Sequence, residues 1–418
     1  MKLPEEFKNQ MEELLGEEAD AFFSAMEEAP AVSIKLNRRK CVEPEITGYT
    51  DLSPVIWCRS GYYLPERPKF TLNPLLHAGV FYVQDASSMI YETIAEKVIP
   101  SAFDTGAPLR VLDLCAAPGG KTTSLINALP EGSTIVANEF IGSRANVLRE
   151  NLIKWGYPNI FVTNSPTSAF TKLEEEFDIV AVDAPCSGEG MMRKEEVAVT
   201  QWNTGLQRQC ADLQREILSD AIEALKPGGF LIYSTCTFNR EENEENLRWL
   251  VEEKGLCAVD MDFPEEWGIA KGIDTPYPCL RFMPHKTKGE GLFAAVLRKE
   301  GDYPRAAGLS ETAFVKTLKK HTRIIAEGIP QTVTKGRDEI PAGESVLATD
   351  YNPDSLPSVE VDEATALSYL RHEALRLDSE VGKGFVVIKY KGFPLGLVKN
   401  IGNRANNLYP SQWRIKFL

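Results

Sequence analysis

Between residues 110 and 299, continuous apolar segments alternate with helical segments, and this alternation constrains the fold more than any other feature of the sequence. The apolar segments are RVLDL (110–114), STIVANE (133–139), NIFVTN (159–164), FDIVAVD (177–183), GGFLIYSTCT (228–237) and GLFAAVLRK (291–299). Strands that are apolar along their whole length and alternate with helices are typical of an open, mainly parallel sheet. The sequence therefore predicts an α/β fold with a doubly wound, Rossmann-like core.

The segments on either side of this core have different patterns of apolar and polar residues. Near the N-terminus, residues 4–28 have helical spacing of apolar residues, and SIKLNRRK (33–40) has the pattern of a short strand that ends in positive charge. Near the C-terminus, GFVVIKYKGFPLGLVKNIGN (384–403) alternates like strands joined by tight turns. We predict four regions: a small N-terminal α+β domain (1–104), the core (105–300), a linker with the first part of a C-terminal region (301–380), and a β-rich module (381–418).

Charge is distributed unevenly along the chain. The whole sequence has a formal charge of −14, which at first argues against a nucleic-acid partner. Residues 381–418, however, contain seven Lys and Arg and no Asp or Glu, so the remainder of the chain has a charge of −21. A basic module on an acidic body predicts a local surface for phosphates.

The eight cysteines and the N-terminal sequence indicate the compartment. No cysteine forms a CxxC pair, so we expect no metal site. The N-terminus has acidic residues and no apolar core of a signal peptide, and no segment approaches the roughly 18 apolar residues of a membrane span. We therefore expect a cytoplasmic protein with reduced thiols and no membrane partner.

The segment VLDLCAAPGGKTT (111–123) lies between a predicted strand and a predicted helix. A P-loop would require a glycine at Cys115, and a dinucleotide-type GxGxxG is absent. Gly119 and Gly120 nevertheless allow a ligand to approach the backbone closely, at a helix N-terminus. Glu139 ends the next strand, where an acid can bind two ribose hydroxyls. The pattern predicts a nucleotide-like ligand, for which S-adenosylmethionine is the obvious candidate.

Two cysteines follow strands of the same predicted sheet. Asp183 ends the buried strand 177–183 and is followed by Cys186, while Cys236 lies near the end of the strand 228–237. Ligands of open α/β sheets bind at the carboxyl ends of the strands. A single strand cysteine is usually a buried apolar residue, but two thiols beside a predicted methyl-donor site are a rarer arrangement.

Three motifs together identify a family. CAAPGGKT (115–122), DAPCSGEG (183–190) and YSTCTF (233–238) resemble those of the Sun-type RNA (cytosine-5) methyltransferases. The resemblance covers roughly residues 31–300, as SIKLN and FYVQDASSM (81–89) also resemble family segments. The C-terminal part resembles, less specifically, the PUA-like RNA-binding region of the bacterial ribosomal-RNA members. The resemblance to this family implies S-adenosylmethionine as the cofactor and RNA as the partner.

The resemblance also assigns roles to residues. It implies that Cys236 is the nucleophile that adds to carbon 6 of cytosine, and that Cys186 helps to remove the C5 proton and release the product. It places Asp183 against N3 and the amino group of the base. Lys121 would lie beside both ligands, or would be a solvated residue of the first helical turn. The predicted cofactor residues are Cys115, Ala116, Ala117, Pro118, Gly119, Gly120, Lys121, Glu139, Ser165 and Asp183. Ser165 departs from the family pattern, which often has Asp there, so an adenine contact at this position stays open.

Two sets of basic residues are candidates for RNA contact. The first is the cluster Lys35, Arg38, Arg39 and Lys40, for which the alternative is a solvated face. The second belongs to the basic module and comprises Lys383, Lys389, Lys391, Lys399 and Arg404. The acidic run Glu241–Glu245 is most simply interpreted as a solvated helix start.

We predict a monomeric methyltransferase that modifies cytosine in RNA, with small-subunit ribosomal RNA as the leading substrate. Transfer RNA is the alternative substrate. A non-catalytic RNA-binding ribosome-assembly factor and a DNA cytosine-5 methyltransferase are alternatives of other classes. The pair of cysteines argues against the first of these, and the motif YSTCTF would have no explanation in the second.

Overall fold

A computed structural model describes residues 3–103, 106–303 and 308–416. The N-terminal region has four helices and four strands. They are α1 (Glu5–Leu15), α2 (Ala19–Glu27), β1 (Val32–Leu36), β2 (Ser53–Val55), β3 (Cys58–Leu64), α3 (Pro74–His77), β4 (Phe81–Val83) and α4 (Ile90–Ala102). The strands form an antiparallel sheet in the order β2–β3–β1–β4. The helical pattern near the N-terminus is thus confirmed. The strand predicted over 33–40 is present as β1, but it ends at Leu36, and residues 38–40 form a turn.

The central region continues directly from this domain. Its elements are β5 (Arg110–Asp113), α5 (Gly120–Ala128), β6 (Thr134–Asn138), α6 (Gly142–Trp155), β7 (Ile160–Thr163), β8 (Phe177–Asp183), α7 (Glu196–Gln201), α8 (Thr204–Ala224), β9 (Leu225–Thr235), α9 (Glu244–Glu252), β10 (Leu256–Ala258), β11 (Leu280–Phe282), β12 (Leu292–Lys299), α10 (Glu311–His321) and β13 (Ile324–Glu327).

The central strands form one sheet in the order β10–β12–β9–β8–β5–β6–β7–β13, and β11 also pairs with β12. The five inner strands β9, β8, β5, β6 and β7 are parallel, whereas β12 and β13 are antiparallel to their neighbours. Every residue of β6 is buried, and so are the first six residues of β8, because helices cover both faces. The predicted doubly wound α/β core is confirmed.

The edge strand β13 joins this sheet from beyond the predicted boundary at residue 300. It pairs with β7 at Ile324↔Thr163, and the preceding helix α10 buries Phe314 against Phe177, with ring centroids 5.7 Å apart. The sequence predicts a single helix over 311–326, but the helix ends at His321 and the chain turns into a strand. Residues 311–327 therefore belong structurally to the core.

The C-terminal region contains a hairpin and a second small sheet. Its elements are β14 (Thr332–Lys335), β15 (Asp338–Pro341), β16 (Ser358–Glu360), α11 (Glu363–Leu370), β17 (Gly384–Tyr390), β18 (Phe393–Asn400) and β19 (Ala405–Asn407). The order β16–β17–β18–β19 places β16 parallel to β17, so the β-rich module starts before the predicted boundary at 381. It packs on the N-terminal domain, where Lys391 Nζ donates to the Ile46 carbonyl at 3.3 Å.

Two findings on this described part of the chain bear on partners. None of its helices has both the length and the apolar character needed to cross a membrane. Within the same ranges, no group of three or more His, Cys, Asp or Glu side chains is arranged to hold a metal ion.

Candidate active site

The carboxyl ends of the parallel strands bring the predicted site residues to one edge of the sheet. Cys115 lies just beyond β5, Glu139 follows β6, Ser165 follows β7, Asp183 ends β8 and Cys236 follows β9. Asp113, which was not among the predicted site residues, ends β5 at the same edge. The parallel register pairs Asp183 with Ser234, two residues before Cys236. Because adjacent parallel strands end at the same edge, these distant sequence segments meet there.

The loop after β5 is held in a fixed shape. Gly119 has φ of +111°, which favours glycine, and it immediately precedes helix α5. The Pro118 carbonyl accepts hydrogen bonds from Asn151 Nδ2 at 2.8 Å and from the Tyr82 hydroxyl at 3.2 Å. Arg144 donates to the Ala117 carbonyl at 2.9 Å. The loop at the N-terminus of α5 is thus preorganised for a ligand.

Carboxylates surround the start of this loop. Burial, followed by the negative charges of Asp113, Asp183 and Glu139, raises the pKa of the Cys115 thiol. Asp113 accepts from Thr122 Oγ1 at 2.6 Å through one oxygen, but its other oxygen has no hydrogen-bond partner among the described residues. Burial raises the pKa of this carboxyl to about 7. A buried acceptor without a partner and a concentration of negative charge fit the cationic sulfonium and ammonium groups of S-adenosylmethionine.

The predicted residues Glu139 and Ser165 are both buried, but they differ in how far their side-chain oxygens are occupied by hydrogen bonds within the protein. Glu139 accepts from the Ile141 N–H at 2.8 Å, and Arg144 Nη1 lies 3.5 Å from its carboxylate. The Ser165 hydroxyl accepts from the Arg323 N–H at 2.8 Å, at the start of the segment that forms β13. The Ser165 hydroxyl is therefore already engaged within the protein, whereas one Glu139 oxygen carries only the longer contact with Arg144.

The two predicted catalytic cysteines are in contact. Their Sγ atoms are 3.3 Å apart, and both side chains are partly exposed. The hydrogen bond with Cys236 and burial raise the pKa of the Cys186 thiol well above its usual range. Gly190 donates its N–H to the Cys236 carbonyl at 2.8 Å, and a Cβ at Gly190 would lie 2.6 Å from that oxygen. The glycine is thus required for the two loops to approach so closely.

A chain of polar contacts lies beside the cysteines. Lys121 Nζ is 2.7 Å from Asp183, whose other oxygen accepts from Ser234 Oγ at 2.7 Å, and Ser234 in turn contacts the Tyr91 hydroxyl at 2.8 Å. Burial opposes the charge on Lys121, but the attraction of Asp183 and Cys236 outweighs it and raises the pKa of the ammonium. The Lys121 side chain is only 14% exposed, so its interpretation as a solvated residue is wrong.

Two buried carboxylates that the sequence interpretation did not identify hold the cysteine loops together. Glu189 accepts from the backbone N–H groups of Phe238 (2.6 Å) and Asn239 (2.9 Å) just beyond Cys236. Glu242 accepts from the Ser187 N–H (3.0 Å), next to Cys186, and from Asn239 Nδ2 (2.7 Å). Both carboxylates are fully buried and each joins one cysteine loop to the other.

The interpretation of Glu241–Glu245 as a solvated helix start is therefore wrong for two of its four glutamates. Besides Glu242, Glu244 is fully buried and forms a bidentate ion pair with Arg281, at 2.6 and 2.5 Å. Arg281 also donates to the Phe238 carbonyl at 2.7 Å. The start of α9 is consequently part of the wall behind Cys236. The only signal for Glu189 was its place inside the motif DAPCSGEG, and nothing in the spacing indicated Glu242.

The basic cluster near residue 35 faces inward. Lys35 is 0% exposed, and its ammonium donates to the Gly120 carbonyl (2.8 Å), Thr123 Oγ1 (2.9 Å) and Ser124 Oγ (2.5 Å). Burial lowers the pKa of Lys35 to about 7. The prediction that Lys35 contacts an RNA phosphate is wrong, because its ammonium is enclosed at the base of the cofactor loop.

The other members of this cluster also have partners within the protein. Arg38 pairs with Glu92 (3.0 Å) and Glu96 (2.6 Å). Arg39 donates to the carbonyls of Ile126 and Leu129 at the end of α5, and Lys40 donates to those of Ala78 (2.7 Å) and Lys154 (2.9 Å). Arg39 and Lys40 therefore join the N-terminal domain to the core, whereas the ion pairs of Arg38 lie within the N-terminal domain. The contact of all three with RNA stays a prediction.

The basic residues of the C-terminal module are more accessible. Lys383, Lys391, Lys399 and Arg404 are exposed, and Lys389 is half-buried. Lys399 lies over the Phe385 ring, with its ammonium 5.5 Å from the ring centroid. Phosphates could reach these side chains without disturbance of the module's core.

Three family models match separate parts of the chain. A family model described as 16S rRNA methyltransferase RsmB/F matches residues 104–298. A model of the N-terminal domain of 16S rRNA methyltransferase RsmF matches residues 3–86, and a model of the methyltransferase RsmF PUA domain matches residues 356–415.

Individual relatives match almost the whole chain. The ribosomal RNA small subunit methyltransferase F of Enterobacter sp. (strain 638) is 30% identical over 98% of this chain and 95% of its own length. The protein of that name from Escherichia coli O9:H4 (strain HS) is 30% identical over 98% and 96%.

Solved structures share the architecture of this chain. A methyltransferase homolog protein from Pyrococcus horikoshii is 27% identical, with a TM-score of 0.59 over 71% of this chain and 95% of that one. NSun6 from Pyrococcus horikoshii, solved with SFG, has a TM-score of 0.60 over 72% of this chain and 99% of that one, and at 21% identity it supports the fold alone.

Proposed function

This chain belongs to the 16S rRNA methyltransferase RsmB/F family, and we propose that it methylates carbon 5 of a cytosine in small-subunit ribosomal RNA through a covalent cysteine adduct. The family is S-adenosylmethionine-dependent, so the predicted family, enzyme class and cofactor are confirmed. The observation that carries the mechanism is the 3.3 Å contact of two thiols beside the Lys121–Asp183 ion pair. The names of the relatives support ribosomal RNA over transfer RNA.

Cys236 is the nucleophile of the proposed reaction. Its thiolate forms a bond to carbon 6 of the cytosine, and the electron pair of the C5–C6 double bond becomes available at carbon 5. Bound S-adenosylmethionine supplies an electrophilic methyl group to that carbon. In this proposal Asp183 contacts N3 and the amino group of the base and so stabilises the protonated adduct. The neighbouring Lys121 ammonium stabilises the negative charge of the thiolate.

Cys186 acts in product release. After methyl transfer, carbon 5 bears both a hydrogen and the methyl group. Removal of that proton restores the C5–C6 double bond as the Cys236 sulfur leaves. The raised pKa of Cys186 keeps its thiol protonated beside Cys236 before the reaction. The hydrogen bond with Cys236, which contributes most to that raised pKa, is lost once the Cys236 sulfur is bonded to carbon 6. Cys186 then releases its own proton to water and, as the thiolate, accepts the C5 proton directly or through one water, from a position 3.3 Å from the nucleophile.

Single substitutions of the two cysteines test this division of roles. Cys236→Ala is expected to give neither methylated RNA nor a covalent complex. Cys186→Ala is expected to accumulate a covalent protein–RNA complex, seen as a band of retarded mobility on a denaturing gel. Cys257→Ala, which removes an exposed thiol of β10, is the matched control and should behave like the wild-type protein.

The opposite pattern would contradict the assignment. A retarded band from Cys236→Ala with none from Cys186→Ala would make Cys186 the nucleophile. Labelled methyl transfer to transfer RNA or DNA, with none to 16S ribosomal RNA, would replace the proposed substrate. Absence of transfer to any nucleic acid would favour the ribosome-assembly alternative.

The exposed lysines of the C-terminal module contribute to RNA affinity in this proposal. Neutralisation of phosphates by Lys383, Lys391 and Lys399 releases counterions, so binding should weaken as salt rises. Replacement of all three by Ala should flatten this salt dependence while the affinity for S-adenosylmethionine is unchanged. An unchanged salt slope would exclude these lysines from the RNA interface.

A further inference from the structure

A cavity of about 580 Å³ opens where the three regions of the protein meet. We call it the interdomain groove, and it is lined by residues 67–83 of the N-terminal domain, 150–155 of α6 and 412–416 near the C-terminus. Pockets that bind small ligands have volumes of about 300–1,000 Å³. None of the proposed catalytic residues lines the interdomain groove, so it is separate from the candidate active site.

The charge of the interdomain groove is opposite to that of the protein as a whole. Arg67, Arg414 and Lys416 are exposed on its walls, and within the described ranges their side chains form no ion pair or hydrogen bond with the protein. The one carboxylate of the lining, Glu150, is bound by Lys154 at 2.5 Å. Three cations that form no ion pair with the described residues, one of them (Arg67) lying over the Phe70 ring at 5.5 Å from its centroid, make this a local site for an anion on a chain of charge −14.

The walls between these cations are aromatic and aliphatic. Tyr82, Val83 and Ile415 are half-buried and remain partly accessible from the interdomain groove. Trp413 is buried in the lining, where the Lys154 ammonium lies 5.2 Å from its ring centroid. Burial lowers the pKa of the neighbouring His77 to about 3, so its imidazole is neutral and adds no charge. Cations that surround an apolar wall match a ligand with both phosphates and flat rings.

We propose that the interdomain groove binds a single-stranded segment of the RNA substrate, with phosphates at Arg67, Arg414 and Lys416 and a base against Tyr82 and Ile415. The proposal rests on the proposed function. Single-stranded RNA is favoured because base stacking on aromatic side chains and backbone contacts to cations are the two elements of its recognition. The site would be composite, because the N-terminal domain supplies Arg67 and Tyr82 and the C-terminal segment supplies Arg414, Ile415 and Lys416.

The interdomain groove is also in contact with the cofactor loop. The Tyr82 hydroxyl and Asn151 Nδ2 line the groove and both donate to the Pro118 carbonyl, at 3.2 and 2.8 Å. RNA in the groove would therefore touch two residues that fix the loop against which S-adenosylmethionine binds. This places part of the substrate on the α6 side of the cofactor loop, away from the cysteines.

The double substitution Arg67→Ala with Arg414→Ala tests the proposal in the full-length protein. Each phosphate contact with a single strand contributes about 0.7 to the slope of log affinity against log salt. The double variant should therefore reduce this slope by about 1.4. Fluorescence anisotropy with a labelled single-stranded fragment of 16S ribosomal RNA, from low to moderate salt, measures it. Lys172→Ala with Lys254→Ala removes the same charge from exposed positions outside the groove and is the matched control.

A smaller slope in the Arg67/Arg414 variant, with the control variant unchanged, supports the proposal. An unchanged slope, or an equal loss in both double variants, overturns it. Crosslinking with 4-thiouridine-substituted RNA adds a direct localisation, and the expected crosslink is in the peptide that contains Tyr82. A crosslink confined to other peptides also overturns the proposal.

Two further measurements separate this proposal from its premises. Cytidine monophosphate is the probe for a free nucleotide, and micromolar binding that the Arg67/Arg414 variant loses would reassign the groove from RNA to a small nucleotide. Methylation of 16S ribosomal RNA by the wild-type protein is measured independently. If the wild type methylates RNA but the salt slope is unaffected, only the groove is excluded. If the wild type methylates no RNA, the proposed function fails.

Discussion

Replacement of Glu189 offers a test of how the two cysteine loops are positioned. Glu189 is fully buried and accepts five short hydrogen bonds. The donors are the N–H groups of Phe238 (2.6 Å) and Asn239 (2.9 Å), Trp202 Nε1 (3.0 Å), Gln207 Nε2 (2.6 Å) and Gln10 Nε2 (3.0 Å). The first two fix the backbone immediately after Cys236, so the carboxylate sets where the proposed nucleophile lies.

The cost of removing the side chain follows from these partners. In Glu189→Ala, the Phe238, Asn239 and Trp202 donors cannot turn to another acceptor. Each buried donor left unpaired costs about 1–3 kcal/mol, so the total is about 3–9 kcal/mol before any water enters. In Glu189→Gln, one oxygen can still accept from both backbone groups, while the amides of Gln10 and Gln207 can reorient. The cost then falls to about one unpaired donor, or about 1–3 kcal/mol.

The two variants should therefore differ in activity as well as in stability. Displacement of a catalytic group by about 1 Å can slow a reaction about 10²-fold, and we expect at least that loss of single-turnover methyl transfer in Glu189→Ala. Glu189→Gln should stay within about tenfold of the wild type, because geometry rather than charge is required. Thermal melting and retention of S-adenosylmethionine binding control for folding. Equal inactivity of two folded variants would refute this positioning role, as would wild-type activity of Glu189→Ala.

Three further predictions concern the cofactor edge. Glu139→Ala should weaken S-adenosylmethionine binding in calorimetry while RNA affinity is retained, and unchanged cofactor affinity in the folded variant would remove Glu139 from the site. Lys121→Met should slow methyl transfer by at least tenfold by loss of the cation beside Asp183 and Cys236, and a wild-type single-turnover rate would contradict this. The pKa of Asp113 is raised to about 7, above its unfolded value near 4, so the folded state holds the proton more tightly and stability falls as pH rises through this interval. Asp113→Asn should remove up to about 1.4 kcal/mol per pH unit of that slope between about pH 4 and 7, measured by melting temperature against pH, and identical slopes in both proteins would show that Asp113 does not titrate there.

The inner strands were predictable because their signal is local. FDIVAVD contains a full strand, and β8 spans the same residues, Phe177–Asp183. Its carboxyl end had to lie beside those of the neighbouring parallel strands, so the meeting of Asp183, Cys186 and Cys236 followed from topology. The edge strand β13 was not predictable, because IIAE (324–327) is short and its pairing with β7 spans about 160 residues of sequence.

The fate of the buried charges could not be predicted for a similar reason. A lysine is normally exposed. Lys35 can be buried because the Gly120 carbonyl and the hydroxyls of Thr123 and Ser124, far away in sequence, accept hydrogen bonds from its ammonium group. Arg39 likewise binds Ile126 and Leu129, whose carbonyls have no partner in their own helix. Composition indicates how many charges a chain has, but their partners are fixed only by the tertiary structure.

The position of β13 has a consequence for synthesis of the protein. During translation the N-terminal parts of a chain emerge and fold first. The strands β5 to β9 can assemble once residue 235 has emerged. The outer side of β7 then has no partner strand until Ile324–Glu327 emerges roughly 90 residues later. Chain elongation proceeds at about 5–20 residues per second. An open strand edge is a template for pairing with other chains. For several seconds of each synthesis, the nascent enzyme therefore exposes an open sheet edge at β7, which is a hazard for aggregation.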